Sequence, residues 1–507
     1  MKIEKVRIEN FRSYQDEITI DLNNLNVFVG KNDIGKSTVL EALDIFINEN
    51  KGVIKIDKDD VNKRLQHAGN SEIKISVVFS DLPDVLTIDA TNTTTFVDEH
   101  LLTEEGFLEI IKKYPNAGKE KIFIKANHPT NPNCSELLLK NNRALKAMLI
   151  DGMNCEDRSK NAELRKAIWD YYSDDLQLQE TEIELAKEDA KNTWVQLKNY
   201  MPLYSLFQCD RKNSDGDSEV QNPMKIAVTE ILKDERLMSS LNDIAVEVDA
   251  KLKEVVGKTL EKLNEMNPEI ADSLTPIIPS PESLKWVDVF KSVSITGDED
   301  IPINKRGSGV KRLILLNFFR AEAERRKDEN NVPDIIYAIE EPETSQHPNH
   351  QRKLIEAFIE LSNSNNTQIL LTTHSPSIVK LLDFEHIKLI KDDPNKEVTN
   401  VEPNELPYPS LNEINFLAFG ESNDEYHNEL YGYIESEDLL AGYKSENQTF
   451  NYVRLMNDET TRDEQKIMSE YIRHQIHHPE NTHNRKFTDK ELQESIVNMR
   501  EFIKEQN

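Results

Sequence analysis

Three cysteines in 507 residues (Cys134, Cys155 and Cys209), widely spaced and odd in number, exclude a disulfide framework and suit a reducing compartment. Their spacing is not that of a zinc site either. No run of about 18 apolar residues occurs, so no membrane-spanning helix and no membrane partner are expected. The opening MKIEKVRI alternates like a strand instead of passing from basic to apolar, so a secretory leader is not expected and the location is read as cytoplasmic. Internal repeats and low-complexity segments are absent. Positive charge is in deficit, with 62 Lys and Arg against 92 Asp and Glu and a net charge of −30. Such a surface serves solubility and repels phosphate backbones. Contact with DNA or RNA would have to use local basic patches or a partner subunit. What remains is an ordinary globular composition, 37% hydrophobic and 30% charged, in a chain longer than one core usually supports.

Residues 2–30 read as strands (KIEKVRIENF, DEITI, NLNVFVG), the last entering a glycine turn and then a helix, STVLEALDIFI. Residues 60–150 add alternating strands such as EIKISVVFS and KEKIFIKA, expected to be antiparallel additions to the N-terminal sheet. Residues 157–265 read as charged and helical, in paired helices. DIIYAIEEPE and TQILLTTHS read as buried parallel strands, and after the linker EPNELPYPS the chain reads as helical to its end.

Four segments carry chemistry. Gly30-Lys31-Asn32-Asp33-Ile34-Gly35-Lys36-Ser37 fits GxxxxGK[ST] between a strand and a helix. In that pattern backbone N–H groups cradle phosphates, the lysine meets the β- and γ-phosphates and the serine hydroxyl meets Mg²⁺. Gly30, Asn32, Gly35, Lys36, Ser37 and Thr38 form the expected nucleotide-binding set. The strand Asp334–Ile339 ends in Glu340 and Glu341, the first suited to the shell of Mg²⁺ and the second to orienting the attacking water. Leu370–Pro376 places His374 at another strand end, where it could donate to the γ-phosphate of ATP. Gly307, Ser308 and Gly309, ahead of the apolar helix LILLNFF, offer a second anion-binding turn. That turn is redundant within one subunit and economical if it closes on a nucleotide held by another copy.

The order GKNDIGKST, RGSGVKRL, IYAIEEPE, LLTTHSPS resembles the ABC-type ATPase heads of the RecF, SMC and OLD families over about residues 1–400. The opening Asn10-Phe11-Arg12-Ser13 also resembles the RecF-type start, which adds Arg12 to the nucleotide-binding set. The resemblance implies catalytic roles for Glu341 and His374, Mg²⁺ held by Ser37 and Glu340, and a signature loop at Gly307–Gly309 acting in trans across a homodimer or higher oligomer. Gln208 is a candidate for the Q-loop glutamine on Mg²⁺, with a plain polar loop residue as the alternative. The implied fold class is α/β: an ABC-type ATPase head (mixed sheet, phosphate loop) with antiparallel β additions, a short helical insert and an all-α C-terminal bundle. The expected divisions are 1–155, 156–284, 285–402 and 403–507. Glu340 replaces the usual aspartate, as in bacterial defence ATPases, and Ser345-Gln346-His347-Pro348 departs from the usual communication loop.

In the C-terminal stretch, Arg473 followed by His477 and His478 resembles the RNase motif of HEPN domains. A structural or partner-binding bundle explains the same residues through placement at a helix C-terminus, and a metal site of His474, His477, His478 and His483 is the third reading. The functional expectation is an ATPase of anti-phage defence whose head dimerisation gates a nuclease. That nuclease would be the C-terminal bundle or a partner subunit of HNH type, as in Septu-like systems; a RecF/SMC-like repair ATPase is the alternative.

Overall fold

The computed structural model describes residues 1–506 except 90–91, 186–189, 209–229, 267–285, 287–318, 320–333, 345–346, 365, 393–395, 402–404 and 457–459. Two six-stranded sheets build the head. The first is antiparallel, ordered β2 (Ile18–Asp21), β1 (Lys2–Glu9), β4 (Glu72–Ser80), β7 (Leu108–Pro115), β8 (Lys121–Pro129), β9 (Leu178–Glu184). A short ribbon of β5 (Leu86–Asp89) and β6 (Asn92–Thr94) lies outside it. The second runs β10 (Leu203–Phe207), β11 (Ile335–Glu340), β12 (Thr367–Thr373), β3 (Leu25–Val29), β13 (Ile387–Asp392), β14 (Lys396–Asn400). All its pairs are parallel except the β13–β14 hairpin.

The helix α1 (Lys36–Asn48) lies between the sheets. Val39, Leu40, Ala42, Leu43, Ile45 and Phe46 are all buried, so apolar groups surround the helix rather than striping it. Strand alternation decides what each side meets. Ile336 and Ala338 of β11 pack toward α1 and the antiparallel sheet, while Ile335, Tyr337 and Ile339 pack on the other face. There they meet Leu354 and Phe358 of α3 (Pro348–Ser362) and Ile414 of α4 (Leu411–Phe419). A parallel sheet covered on both faces requires such continuous apolar strands.

Three parts of the sequence reading change. Leu203–Phe207, inside the stretch 157–265 that reads as helical, is β10, an edge strand of the parallel sheet paired with β11. LQETEIE (Leu178–Glu184), expected to be helical, is the edge strand β9, paired antiparallel with β8 from Phe123↔Glu184 to Pro129↔Leu178. Thr181, Ile183 and Leu185 place alternate residues on one face, and a strand partner overrides the local helix propensity of Glu and Leu. The long helix α2 (Glu235–Met266) does form within the predicted helical stretch. The C-terminal region is helical, with α5 (Asp424–Ser436), α6 (Met468–His477) and α7 (Asp489–Gln506) around its own core of Leu430, Ile434, Ile472, Ile496 and Ile503. It is not all-α, however: β15 (Thr449–Leu455) and β16 (Thr461–Ile467) form a hairpin ahead of α6.

Candidate functional site

The carboxyl ends of β10, β11, β12 and β3 lie side by side, where open parallel sheets place their ligand sites. From β3 the chain turns through Gly30 (φ 153°) and Gly35 (φ 110°) into α1. A Cβ on Gly30 would stand 3.0 Å from the Ile390 carbonyl, and one on Gly35 would stand 2.8 Å from Ser13 Oγ and 3.1 Å from the Tyr14 hydroxyl. Positive φ and close neighbours both restrict these positions to glycine. Lys36 folds over the loop, Nζ donating to the carbonyls of Gly30 and Lys31 at 2.9 Å each. Burial pushes its pKa down, against the opposing pull of Glu341, Asp33 and Glu343.

Across the cleft, Glu340 ends β11 opposite Thr372 of β12. Glu341 takes a left-handed backbone (φ 42°), its N–H donating to the Thr372 carbonyl at 3.1 Å and to Thr372 Oγ1 at 3.2 Å. Such a conformation is unusual for a residue with a Cβ, and here it aims the carboxylate out of the strand line. Its Oε1 lies 3.1 Å from His374 Nδ1. A cleft of about 520 Å³ is lined by Arg12, Asn32, Gly35, Lys36, Ser37, Thr38, Glu341 and His374, among others. The structure thus brings together residues that the sequence separates by more than 300 positions.

Sequence reasoning passed over Glu343, two residues beyond Glu341. It is 3% exposed, and its Oε1 accepts from the Thr373 hydroxyl and, at 3.3 Å, from the His374 N–H. Among the described residues its Oε2 is buried with no hydrogen-bond partner, and burial pushes its pKa up. Glu343 therefore ties the end of β11 to the turn that presents His374. The repeated acids of EEPE were the available signal, but nothing in them said which one turns inward.

Glu41 was also missed. It lies one helical turn after Ser37, on the same face of α1. It is ion-paired with Arg12, whose Nε also meets Asp60 Oδ1 at 2.7 Å, and it accepts from Gln208 Nε2 at 3.0 Å. Among the described residues Gln208 Oε1 is buried without a hydrogen-bond partner. Of the three residues expected on Mg²⁺, Ser37 lines the cleft, whereas Glu340 and Gln208 are not among its lining residues; their hydroxyl, carboxylate and amide oxygens are hard donors of the kind that suits that ion. Among the described residues no group of three His, Cys, Asp or Glu is placed to hold a metal ion.

The expected signature residues Gly307, Ser308 and Gly309 lie outside the described residues, as do Ser345 and Gln346. His347 and Pro348 start α3, with His347 Nδ1 accepting from the Asn349 N–H at 3.3 Å. In the C-terminal domain, Arg473 is held by Glu435 Oε2 at 3.0 Å and stacks 4.4 Å from the Tyr431 ring centroid. His478 caps the end of α6 beside Glu480 at 3.1 Å, and His477 is exposed. Among the described residues no hydrogen bond or ion pair joins Arg473 to either histidine.

A glycine-turned phosphate loop on one strand, facing Glu341 and His374 from neighbouring strands, defines a P-loop nucleotide-binding head. A family model described as AAA ATPase domain (AAA_15) matches residues 1–379, and the chain belongs to that family. It is similar to Endonuclease GajA of Bacillus cereus (strain VD045), 22% identical over 77% of this chain and 58% of that protein. It is similar to the OLD nuclease of Thermus scotoductus, 23% identical over 87% of this chain and 72% of that one. It is also similar to the Retron Ec83 probable ATPase of Escherichia coli, 20% identical over 77% and 72%. The chain spans little more than half the length of the GajA relative. Among solved structures, an SmcHead bound to the C-winged helix domain of ScpA aligns over 79% of this chain and 98% of its own, with 14% identity and a TM-score of 0.35. No helix among the described residues is long and apolar enough to cross a membrane.

Proposed function

We propose that the cleft binds ATP with Mg²⁺ and hydrolyses it, and that the nucleotide state controls pairing of two heads and, through it, a nuclease in anti-phage defence. The observation that carries the reading is the meeting of Lys36, Ser37, Glu341 and His374 around one cleft at the carboxyl edge of the parallel sheet. Lys36 Nζ exchanges its two loop carbonyls for β- and γ-phosphate oxygens, a stronger, charge-assisted pairing. Ser37, Glu340 and Gln208 Oε1 would hold Mg²⁺, which supplies charge neutralisation on the transferred phosphoryl group. Glu341 orients and polarises the attacking water. His374 has Nδ1 beside Glu341, so its Nε2 faces the phosphate as a donor only when the ring carries both protons.

Gly307, Ser308 and Gly309 from a second copy would close the site. The GajA and OLD relatives are named as nucleases, and this supports placing the ATPase in a nuclease system. Since Arg473 is committed to Glu435 and Tyr431 and does not meet the neighbouring histidines, we assign the nuclease to a partner subunit rather than to the C-terminal domain. Phosphate release from ATP, mass measured with and without nucleotide, and co-purification from the native host test this. Release without dimerisation, and no nuclease among the bound proteins, would turn the reading toward a repair ATPase.

A further inference from the structure

Two side chains outside every sequence motif grip the phosphate loop from behind. Tyr14, fully buried in the turn after β1, donates its phenol O–H to the Gly35 carbonyl at 3.0 Å. Lys396, the first residue of β14, donates Nζ to the Ile34 carbonyl at 2.7 Å. Its ammonium also lies 5.4 Å from the Tyr14 ring centroid, so the two anchors brace each other. Neither residue lines the cleft, whereas Gly35 and Lys36 both do.

Ile34 and Gly35 supply the carbonyls of two successive peptide bonds. A trans peptide is planar, and its N–H points opposite to its C=O. A carbonyl pulled back toward Lys396 therefore turns the Gly35 N–H forward, and one pulled back toward Tyr14 turns the Lys36 N–H forward. These N–H groups open α1, where the helix itself offers them no acceptor. A loop without the two anchors would have to order both peptides when the anion arrives, and that ordering subtracts from affinity.

We propose that Tyr14 and Lys396 are positioning residues that preset the Gly35 and Lys36 amides as a phosphate-binding pair. The proposal rests on the reading of the cleft as a nucleotide site. Its determinants come from two ends of the head, one beside β1 and one on the edge strand β14, so β14 acts as a strap behind the loop.

The test uses the full chain with the ATP analogue ATPγS and Mg²⁺ in calorimetry, and ATP in steady-state turnover. Tyr14→Phe and Lys396→Met should each weaken ATPγS binding roughly threefold to tenfold, the effect of one lost hydrogen bond. KM should rise while kcat at saturating ATP stays within about twofold. The double variant should lose less than the product of the single effects, because both act on one loop. Lys396→Arg should recover most of the affinity, and Lys396→Gln replaces the methionine variant if that one does not fold. The loss in Lys396→Met should persist at high salt; a loss that vanishes there would make Lys396 a distant charge and overturn positioning. Wild-type affinity in both Tyr14→Phe and Lys396→Met, with binding lost in Lys36→Ala, would overturn the proposal and leave the nucleotide site standing. Absence of ATPγS binding by the unmodified chain would remove that site and the proposal together.

Discussion

Replacing Glu341 with glutamine removes one negative charge and almost no volume, which makes it the most discriminating change in the cleft. The backbone should not move: the left-handed turn is held by the Glu341 N–H on Thr372, not by the carboxylate. The amide oxygen can still face His374 Nδ1, now 3.1 Å from Oε1. What disappears is the capacity to polarise water, a contribution of about 10²- to 10⁴-fold, or about 3–5 kcal/mol of barrier. Because the side chain is 33% exposed, its charge is screened, and nucleotide affinity should shift by no more than about fivefold. In phosphate-release assays kcat should therefore collapse while ATPγS still binds, and the nucleotide-bound dimer should accumulate in mass measurements. Glu340→Gln should behave differently, raising the Mg²⁺ concentration needed for half-maximal turnover. A kcat for Glu341→Gln within threefold of the unmodified chain would refute the assignment of the water-orienting residue.

Other residues give independent tests. Lys36→Ala should reduce ATPγS affinity by about 100-fold, since it removes the charge aimed at the phosphates; retention of affinity would move the phosphate site elsewhere. Glu343→Ala should cost about 1–3 kcal/mol in urea unfolding, because it strands the Thr373 hydroxyl and the His374 N–H, whereas Glu343→Gln retains an acceptor. Burial raises the Glu343 pKa above its ordinary 4.5, so its favourable contribution is complete below that pH and is lost as pH rises through the folded value. The stability of Glu343→Gln relative to the unmodified chain should accordingly improve from pH 4.5 toward neutrality, and a pH-independent difference would refute this. His427 works in the opposite sense. Burial lowers its pKa from 6.5 to about 4, so its contribution is present above pH 6.5 and is lost as pH falls toward 4, by up to about 3 kcal/mol. His427→Gln should lack that acid-side loss in paired urea titrations at pH 7 and pH 4.5.

The side chains behind the cleft share a common logic. Glu41 gathers Arg12 and Gln208 onto α1, Glu343 gathers Thr373 and His374 onto the end of β11, and Tyr14 with Lys396 hold the loop. Each secures a residue of the cleft or of its loop with a side chain that does not itself line the cleft. Arg12 and Gln208 share one carboxylate, so a change at either is felt by the other through Glu41.

The sequence by itself determined the class of the head and the front of its site. The phosphate loop, the two acids ending an apolar strand and the histidine ending another are local patterns, each set by a strand or helix boundary that composition announces. The parallel pairing of β11 with β12 followed from runs that are apolar on both faces. Only the tertiary structure decided the rest. Leu178–Glu184 became a strand because β8 offers an edge, and the C-terminal hairpin formed between residues with no strong alternation of their own. Glu41, Glu343, Tyr14 and Lys396 are ordinary residues in the sequence. Their roles come from hydrogen bonds across separations of up to 362 positions, and chain order carries no record of which buried carboxylate will face which amide. Local propensity fixes where a chain turns, whereas burial and pairing between distant elements fix which polar groups must find each other there.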